Sequence, residues 1–290
     1  MFFQQIVNGV SIGSIYALIA SGYALIYSLL GFSNWAHGEV AMVGAYIAWV
    51  GASSLALPLL PALLLGMAGA GLVSVCNERF FYRPIREHNA PSMFLMIAAM
   101  GLSTIFQNGS MLLFGAKFQR YSFSLPLEPV LIFGARIDAV NLICLLVSTS
   151  ALVALELVIN RTKFGLGVRA IASNSRTASL LGINVNQIFL IVFLIAGFLA
   201  GVAGFFLGLK YNVYPTMGNV GLKAFIASVF GGLGSVPGAI IGALVIGIVE
   251  ALAAGYLNSG LRDLLTFSLL VIILVIKPSG LMGVTVEEKA

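Results

Sequence analysis

The sequence predicts an all-α integral membrane protein of about eight transmembrane helices, on three observations. Of its 290 residues 60% are hydrophobic and 9% charged, whereas a typical soluble domain carries charges on about a quarter of its residues. The charges are gathered into clusters: none precedes Glu39, and none falls within 40–77, 88–116, 139–155, 177–209 or 224–249. Inside these tracts apolar residues run without alternation, as in Ile188-Phe-Leu-Ile-Val-Phe-Leu-Ile-Ala196. A helix needs about 20 mostly apolar residues to cross a bilayer, so several tracts hold one crossing or two. Barrel strands alternate apolar and polar positions, and a soluble helical protein needs polar outer faces. The sequence offers neither.

Taken in order, the first crossing is read at 6–30. No basic stretch precedes it, since the first basic residue is Arg79, so it reads as a retained span rather than a cleaved signal. The second and third occupy 34–53 and 57–76. A polar loop follows at 77–90 with Arg79, Arg83 and Arg86, and the fourth crossing is 91–114. A connection through Lys117 and Arg120 leads to the fifth, 139–159. A second basic loop, 160–186, precedes the sixth, 187–209. The seventh, 220–257, is interrupted, and the eighth is 261–276. The whole of 1–290 reads as one transmembrane domain. Two loops separated by two spans share a side, and 77–90 and 160–186 together hold Arg79, Arg83, Arg86, Arg161, Lys163, Arg169 and Arg176. The opposite connections hold Lys117, Arg120, Arg136, Lys210 and Lys223. The excess of Lys and Arg places the two basic loops in the cytoplasm and the N-terminus outside. A re-entrant second segment would reverse the placement of the N-terminus. The net charge of +5 suits anionic lipid head groups and does not call for nucleic acid.

Four segments stand out. In the loop 160–186, residues 168–181 read as a short helix ended by Gly182, a residue suited to the left-handed position after a helix. Arg169, Ser173 and Arg176 form a polar, basic stripe on it. Ile171, Ala178 and Leu181 lie away from the stripe, free to pack elsewhere. Such a helix either rests on the membrane or docks in another protein's groove. In Gly31-Phe-Ser-Asn-Trp-Ala-His-Gly-Glu39, polar Asn34, His37 and Glu39 are flanked by apolar tracts. They either line a polar cavity in the transport path or belong to a surface loop in which Ser33 or Asn34 caps a helix, with Trp35 in the interfacial belt. In Lys223-Ala-Phe-Ile-Ala-Ser-Val-Phe-Gly-Gly-Leu-Gly-Ser-Val-Pro-Gly-Ala239, Gly231, Gly232, Gly234, Pro237 and Gly238 break a hydrophobic tract in mid-course, and Gly231, Gly232 and Ser235 are candidates for the transport path. Irregular backbone at membrane depth survives only where protein buries it or it lines a cavity. Finally, Gly197, Gly201, Gly204 and Gly208 share one helix face, the small-residue pattern of closely approaching membrane helices.

The chain lacks a Gly-x-x-x-x-Gly-Lys-Ser/Thr phosphate loop, so ATP binding of that kind is not expected within it. His37 and His88 are its only histidines, and Cys76 and Cys144 lie in or at the end of apolar tracts. No catalytic grouping, metal-ligand spacing or cofactor motif emerges. Three other readings exist at this level: a stand-alone secondary transporter or channel using Glu39, His37 or Glu250 as an ion site; a membrane-embedded enzyme, for which the sequence has too few clustered polar residues; and a non-transporting scaffold, against which the breaks at 34–39 and near Gly232 argue.

Three stretches together carry a family resemblance: Asn34-Trp-Ala-His-Gly-Glu-Val40, Arg176-Thr-Ala-Ser-Leu-Leu-Gly-Ile183, and Lys223-Ala-Phe225 with the following Gly-Gly-Leu-Gly-Ser-Val-Pro-Gly-Ala. In this order and spacing they resemble the permease subunits of bacterial branched-chain amino-acid ABC importers, specifically the first of two homologous permeases. The likeness runs from about Gln5 to Gly283. It implies a multi-pass protein of the bacterial inner membrane. It also implies partners: a second homologous permease, two cytoplasmic ATP-binding subunits and a periplasmic solute-binding protein. In such a system the loop at 160–186 is the coupling helix, and Arg169, Ser173, Arg176, Ala178, Leu181 and Gly182 are the docking candidates. ABC permeases generally show Glu-Ala-Ala-x-x-x-Gly there; this chain keeps Ala178 and Gly182 and has Arg176 in place of the Glu. The resemblance implies alternating access driven by ATP in the partners, with leucine, isoleucine and valine as solutes, or, in similar permeases, urea or short amides.

Overall fold

The computed structural model describes residues 2–283 apart from 89, 124–128, 133, 134 and 259. Among them the chain forms α1 (Phe2–Leu30), α2 (His37–Ser54), α3 (Leu59–Asn77), a π-helical turn (Glu78–Tyr82) running into α4 (Arg83–Glu87), and α5 (Ser92–Phe114). A short antiparallel hairpin, β1 (Val130–Ile132) with β2 (Ala135–Ile137), leads to α6 (Ala139–Arg161). Then come α7 (Lys163–Ser173), α8 (Ser175–Leu180), α9 (Val185–Tyr211), a 3-10 turn (Met217–Asn219), α10 (Val220–Gly231), α11 (Val236–Tyr256) and α12 (Leu261–Ile276). Among the described residues six helical stretches are long and apolar enough to cross a membrane: Phe2–Leu30, Leu59–Glu87, Ser92–Phe114, Ala139–Arg161, Val185–Tyr211 and Val236–Tyr256. The 18-residue α2 and the 16-residue α12 fall short of that measure.

The two basic segments lie on one face. Arg86 Nη2 donates to Asn186 Oδ1 at 2.7 Å, and Asn186 Nδ2 donates to Glu87 Oε1 at 3.2 Å. On the opposite face Gln4 Nε2 reaches the Arg136 carbonyl at 2.8 Å, and Gln119 and Val213 pair through their backbones at 2.8 Å. The N-terminus is therefore on the far side of the molecule from both basic segments.

Three sequence expectations change in detail. Residues 77–90 are helical as far as Glu87, not a loop, because the polar side chains find partners along the helix. Arg83 Nε bonds Glu87 Oε1 at 2.8 Å, one turn on, and Arg86 Nη1 lies 2.8 Å from the buried Glu78 Oε1, an ion pair by distance without hydrogen-bond angles. The interrupted seventh segment is two helices, α10 and α11, packed on each other around the turn at 232–235. The single short helix expected at 168–181 is split at Asn174, whose side chain leaves α7 to cap α8 by accepting from Thr177 N at 3.0 Å. Asn readily makes such local bonds in place of helix.

Small residues set the helix crossings. The heart of the molecule is α1, whose buried face includes Gly9, Ser11, Gly13, Ser14, Ala17, Ala20 and Gly22. It packs most extensively against α11, where a Cβ on Gly247 would come within 2.5 Å of Gly13 Cα. The glycine face of α9 serves two neighbouring helices, and its last member, Gly208, packs against Tyr121 and Val213. Gly197 and Gly201 meet α3 at Ala70, Gly71 and Met67, while Gly204 lies against the Ala41 backbone of α2. Gly204→Val would push a side chain into the Ala41 carbonyl, and overpacking of this kind costs about 1–3 kcal/mol or more. Purified Gly204→Val is expected to show a lower unfolding midpoint and aggregated material on gel filtration. Gly101→Ala on α5, where nothing lies within 4 Å of the added carbon, is expected to leave both unchanged.

Candidate functional site

The structure sorts Asn34, His37 and Glu39 into three different roles. All three are buried, at 3%, 0% and 4% exposure. Asn34 Oδ1 accepts from Ala36 N at 3.2 Å and from the Tyr82 hydroxyl at 2.7 Å. The first bond turns the chain into α2, and the second ties that turn to the π-helical stretch. Tyr82 in turn packs against Phe32 and Phe193, each with ring centres 5.5 Å away. Asn34→Leu would strand one buried N–H and one buried hydroxyl, at about 1–3 kcal/mol each. Its unfolding midpoint is expected to fall further than that of Tyr82→Phe, which strands neither.

His37 is a packing residue. Its ring sits edge-on to Tyr23 at 4.9 Å, in a space kept open by Gly22, where a Cβ would overlap the imidazole. The Ile19 carbonyl is nearby, but neither ring nitrogen reaches hydrogen-bond geometry. Contact with Gly22 and Tyr23 puts the start of α2 about eight residues before the end of α1, roughly 12 Å inside along its axis. His37 and Glu39 are thus internal, while Gly31 and Trp35 of the same segment are exposed.

Glu39 alone of the three lines a cavity. The cavity holds about 100 Å³ and is shared by Tyr23 of α1, Trp35, Ser103 of α5, Asn219, and Leu222 and Phe225 of α10. Glu39 Oε1 accepts from Ser103 Oγ at 3.5 Å, while Oε2 has no protein partner. Gly218 lies so close that a Cβ there would strike the carboxyl group.

Gly231, Gly232 and Ser235 lie elsewhere. They form the turn at the other end of α10, about 17 Å from its start by helix length. Gly232 and Gly234 adopt φ of +113° and +84°, the region that favours glycine. The turn's polar groups are satisfied: Leu281 N donates to Phe230 O at 3.0 Å, Met282 N to Gly231 O at 2.8 Å, and Ser235 Oγ accepts from Gly238 N at 3.2 Å. The turn borders a cavity of about 530 Å³ that also touches Tyr27, Ser28 and Ala172 of α7. The two groups of path candidates thus sit at opposite ends of α10.

On the basic face, α7 and α8 fold back beneath the bundle. Ile171 and Ala178 are buried with Phe189 of α9. Arg169 donates to the Ile159 carbonyl, so it fastens α7 to the end of α6. Ser173 and Arg176 are exposed. Gly182 takes φ +84° and Ile183 N bonds Ala178 O at 3.1 Å, the six-residue closure that ends a helix in a left-handed residue. Leu181 does not pack inward: it is 77% exposed beside Leu180 at 88%. Sequence reasoning missed Leu180, although an adjacent leucine pair on a polar loop was the available signal. It also missed Tyr23, Ser103, Asn219 and Phe225, ordinary residues that only folding brings to Glu39.

Lys223 and Glu250 are partners. Lys223 Nζ lies 2.9 Å from Glu250 Oε1 and 2.8 Å from Asp263 Oδ1. Glu250 also accepts from Tyr16 and Thr266, each at 3.0 Å. The group therefore ties together α1, α10, α11 and α12, and Glu250 is not a free carboxylate awaiting an ion.

Comparison with known proteins agrees along the whole chain. The high-affinity branched-chain amino acid transport system permease protein BraD of Pseudomonas aeruginosa is 37% identical over 302 residues, covering 99% of this chain and 98% of its own. The corresponding LivH of Escherichia coli K12 is 36% identical, covering 99% and 97%. Among solved structures, a metal-chelate type ABC transporter in an inward-facing conformation shares the fold with a TM-score of 0.56 at 14% identity, over 94% of this chain and 85% of that one. PsaBC from Streptococcus pneumoniae does so at 0.50 and 15% identity, over 96% and 93%. Because residues 5–274 also match the family described as branched-chain amino acid transport system / permease component, the chain belongs to that family of permeases.

Proposed function

We propose that this permease subunit forms, with a homologous permease, the path by which an ATP-driven importer moves branched-chain amino acids across a bacterial inner membrane. The observation that carries the reading is the end-to-end similarity to permease proteins of branched-chain amino acid systems. In this arrangement α2 and α12 span the membrane along with the six longer stretches, giving eight spans in one domain over 1–290, and between α9 and α11, which run in the same direction, α10 returns the chain to the basic face. The basic face is cytoplasmic, by the excess of Lys and Arg there. ATP is hydrolysed in two separate cytoplasmic subunits, and a periplasmic protein delivers the solute.

The α7–α8 unit is the coupling element. Ile171 and Ala178 hold it to α9, while Leu180, Leu181 and Arg176 face outward, an apolar pair beside a positive charge suited to a groove on an ATP-binding subunit. Arg169 positions the unit through α6, Ser173 borders the exposed side, and Gly182 ends it. A pull on α7 reaches α10 and α11 through α1, which packs against all three. From there α10 leads to Glu39. Movement of a packed helix against neighbours is how two-state transporters switch access.

The test is co-expression with the second permease and the ATP-binding subunits from the same source, followed by ATPase assays in nanodiscs. Hydrolysis stimulated by a binding protein loaded with leucine, isoleucine or valine supports the reading. Stimulation by a urea-loaded protein instead changes the solute. Transport by the chain alone, without association, would replace the importer by a secondary transporter.

A further inference from the structure

Resting on the proposed importer role, we infer that the Glu39 cavity is a half-site for the ammonium group of the passing amino acid. Glu39 lines the cavity at 4% exposure, with Oε2 set over Gly218 without a hydrogen-bond partner and Oε1 held by Ser103 at 3.5 Å, a state costly for a carboxylate unless a cation comes within reach. The space is built for a cation. Tyr23, Trp35 and Phe225 bring three aromatic rings around it, with Tyr23 and Phe225 centred 5.6 Å apart and Trp35 and Phe225 6.2 Å apart. Ring faces attract a positive charge, most strongly where water is excluded. Ser103 and Asn219 add polar atoms at the edge.

Size and ligand chemistry narrow the occupant. About 100 Å³ takes an ammonium group and its first carbons or a few waters, each claiming about 30 Å³, but not a whole leucine. The side chain of the solute remains outside, on the side where Trp35 is 42% exposed. A divalent metal ion needs several oxygen ligands, and among the described residues no group of three His, Cys, Asp or Glu is found. A solute carboxylate would meet repulsion from Glu39. A neutral amide would gain neither the ion pair nor the attraction to the rings.

The cavity also lies at the N-terminal end of α10, beside Gly218 and Gly221, which touch Gly38 backbone to backbone. A shift of α10 therefore changes the pocket wall directly. The half-site lowers the cost of taking a charged amine out of water midway and lets it go when the wall moves.

The experiment uses the complete importer in proteoliposomes, reading radiolabelled leucine uptake and binding-protein-stimulated ATP hydrolysis in parallel. Glu39→Gln is expected to lower uptake by at least about tenfold, the scale of one charge-assisted bond, with hydrolysis within about twofold of wild type. Trp35→Leu, at an exposed position, is expected to lower uptake about three- to tenfold with hydrolysis retained. Should Glu39→Gln fail to assemble, Trp35→Leu alone decides. Uptake within about twofold of wild type in the assembled variants overturns the half-site, as does a parallel fall of uptake and hydrolysis in both. A wild-type importer that moves urea and no amino acid would instead overturn the solute assignment, before any variant is compared.

Discussion

Lys223→Met is expected to be among the most destabilising single changes in the chain. Glu250 is 4% exposed, and Lys223 is the only positive charge bonded to it among the described residues. Without Lys223 its charge is left to the Tyr16 and Thr266 hydroxyls, which cannot neutralise it. Removing one partner of a buried pair costs about 3–5 kcal/mol, because the remaining charge is uncompensated. The Lys223–Asp263 arm adds little, since Asp263 is 66% exposed and such pairs are screened by solvent. Glu250→Gln in the same background removes the stranded charge and keeps acceptor and donor capacity toward Tyr16 and Thr266. The double variant is therefore expected to unfold at a higher temperature than Lys223→Met alone. Unfolding midpoints of the purified permease in detergent, read as a double-mutant cycle, give the coupling directly. A Lys223→Met protein as stable as wild type would show that the packing of α10 on α11, not the ion pair, holds this corner.

Leu180→Glu with Leu181→Glu should separate stability from coupling. These side chains are 88% and 77% exposed, so the permease itself loses almost nothing when they change. If they fill an apolar groove on an ATP-binding subunit, two carboxylates there are desolvated without partners, and co-purification of that subunit is expected to be lost. Stimulated hydrolysis would then fall by more than about tenfold, as each unpaired buried charge costs several kcal/mol. Arg169→Ala serves as the contrasting case. It frees the Ile159 carbonyl at the end of α6 and loosens the unit from within, so its effect appears in the unfolding midpoint. If the leucine variant still binds the ATPase subunits and couples normally, docking runs through another part of the basic face.

Legibility followed the range of the interaction. The long apolar tracts, the break after Phe230 and the helix end at Gly182 are local properties of the chain, and each could be read from neighbouring residues. The left-handed φ at Gly182, Gly232 and Gly234 is where sequence and backbone meet most directly. Helical stretches with polar faces were harder. Residues 77–87 looked like a loop because Glu78 and Arg86 are expensive in a membrane helix when taken one at a time, and their pairing at 2.8 Å removes that cost. Asn174 split the expected coupling helix because a local cap competes with helix continuation, and composition does not decide which wins.

By itself, the sequence determined that the chain is a helical membrane protein, roughly where its helices lie, that it carries no phosphate loop, and which family its motifs resemble. Only the tertiary structure decided what the polar residues do. Asn34, His37 and Glu39 are five residues apart at most, yet one makes a turn, one packs against a glycine and one faces a cavity. The difference lies in Tyr82, Gly22 and Ser103, brought from three other helices. Lys223 meets Glu250 because α11 packs back on α10, and Leu181 stays outside because Ile171 and Ala178 have already taken the contact with Phe189. A burial preference belongs to a residue, but the partner that satisfies a buried polar group comes from wherever the chain returns. That return is fixed by packing of whole helices, not by any stretch of sequence.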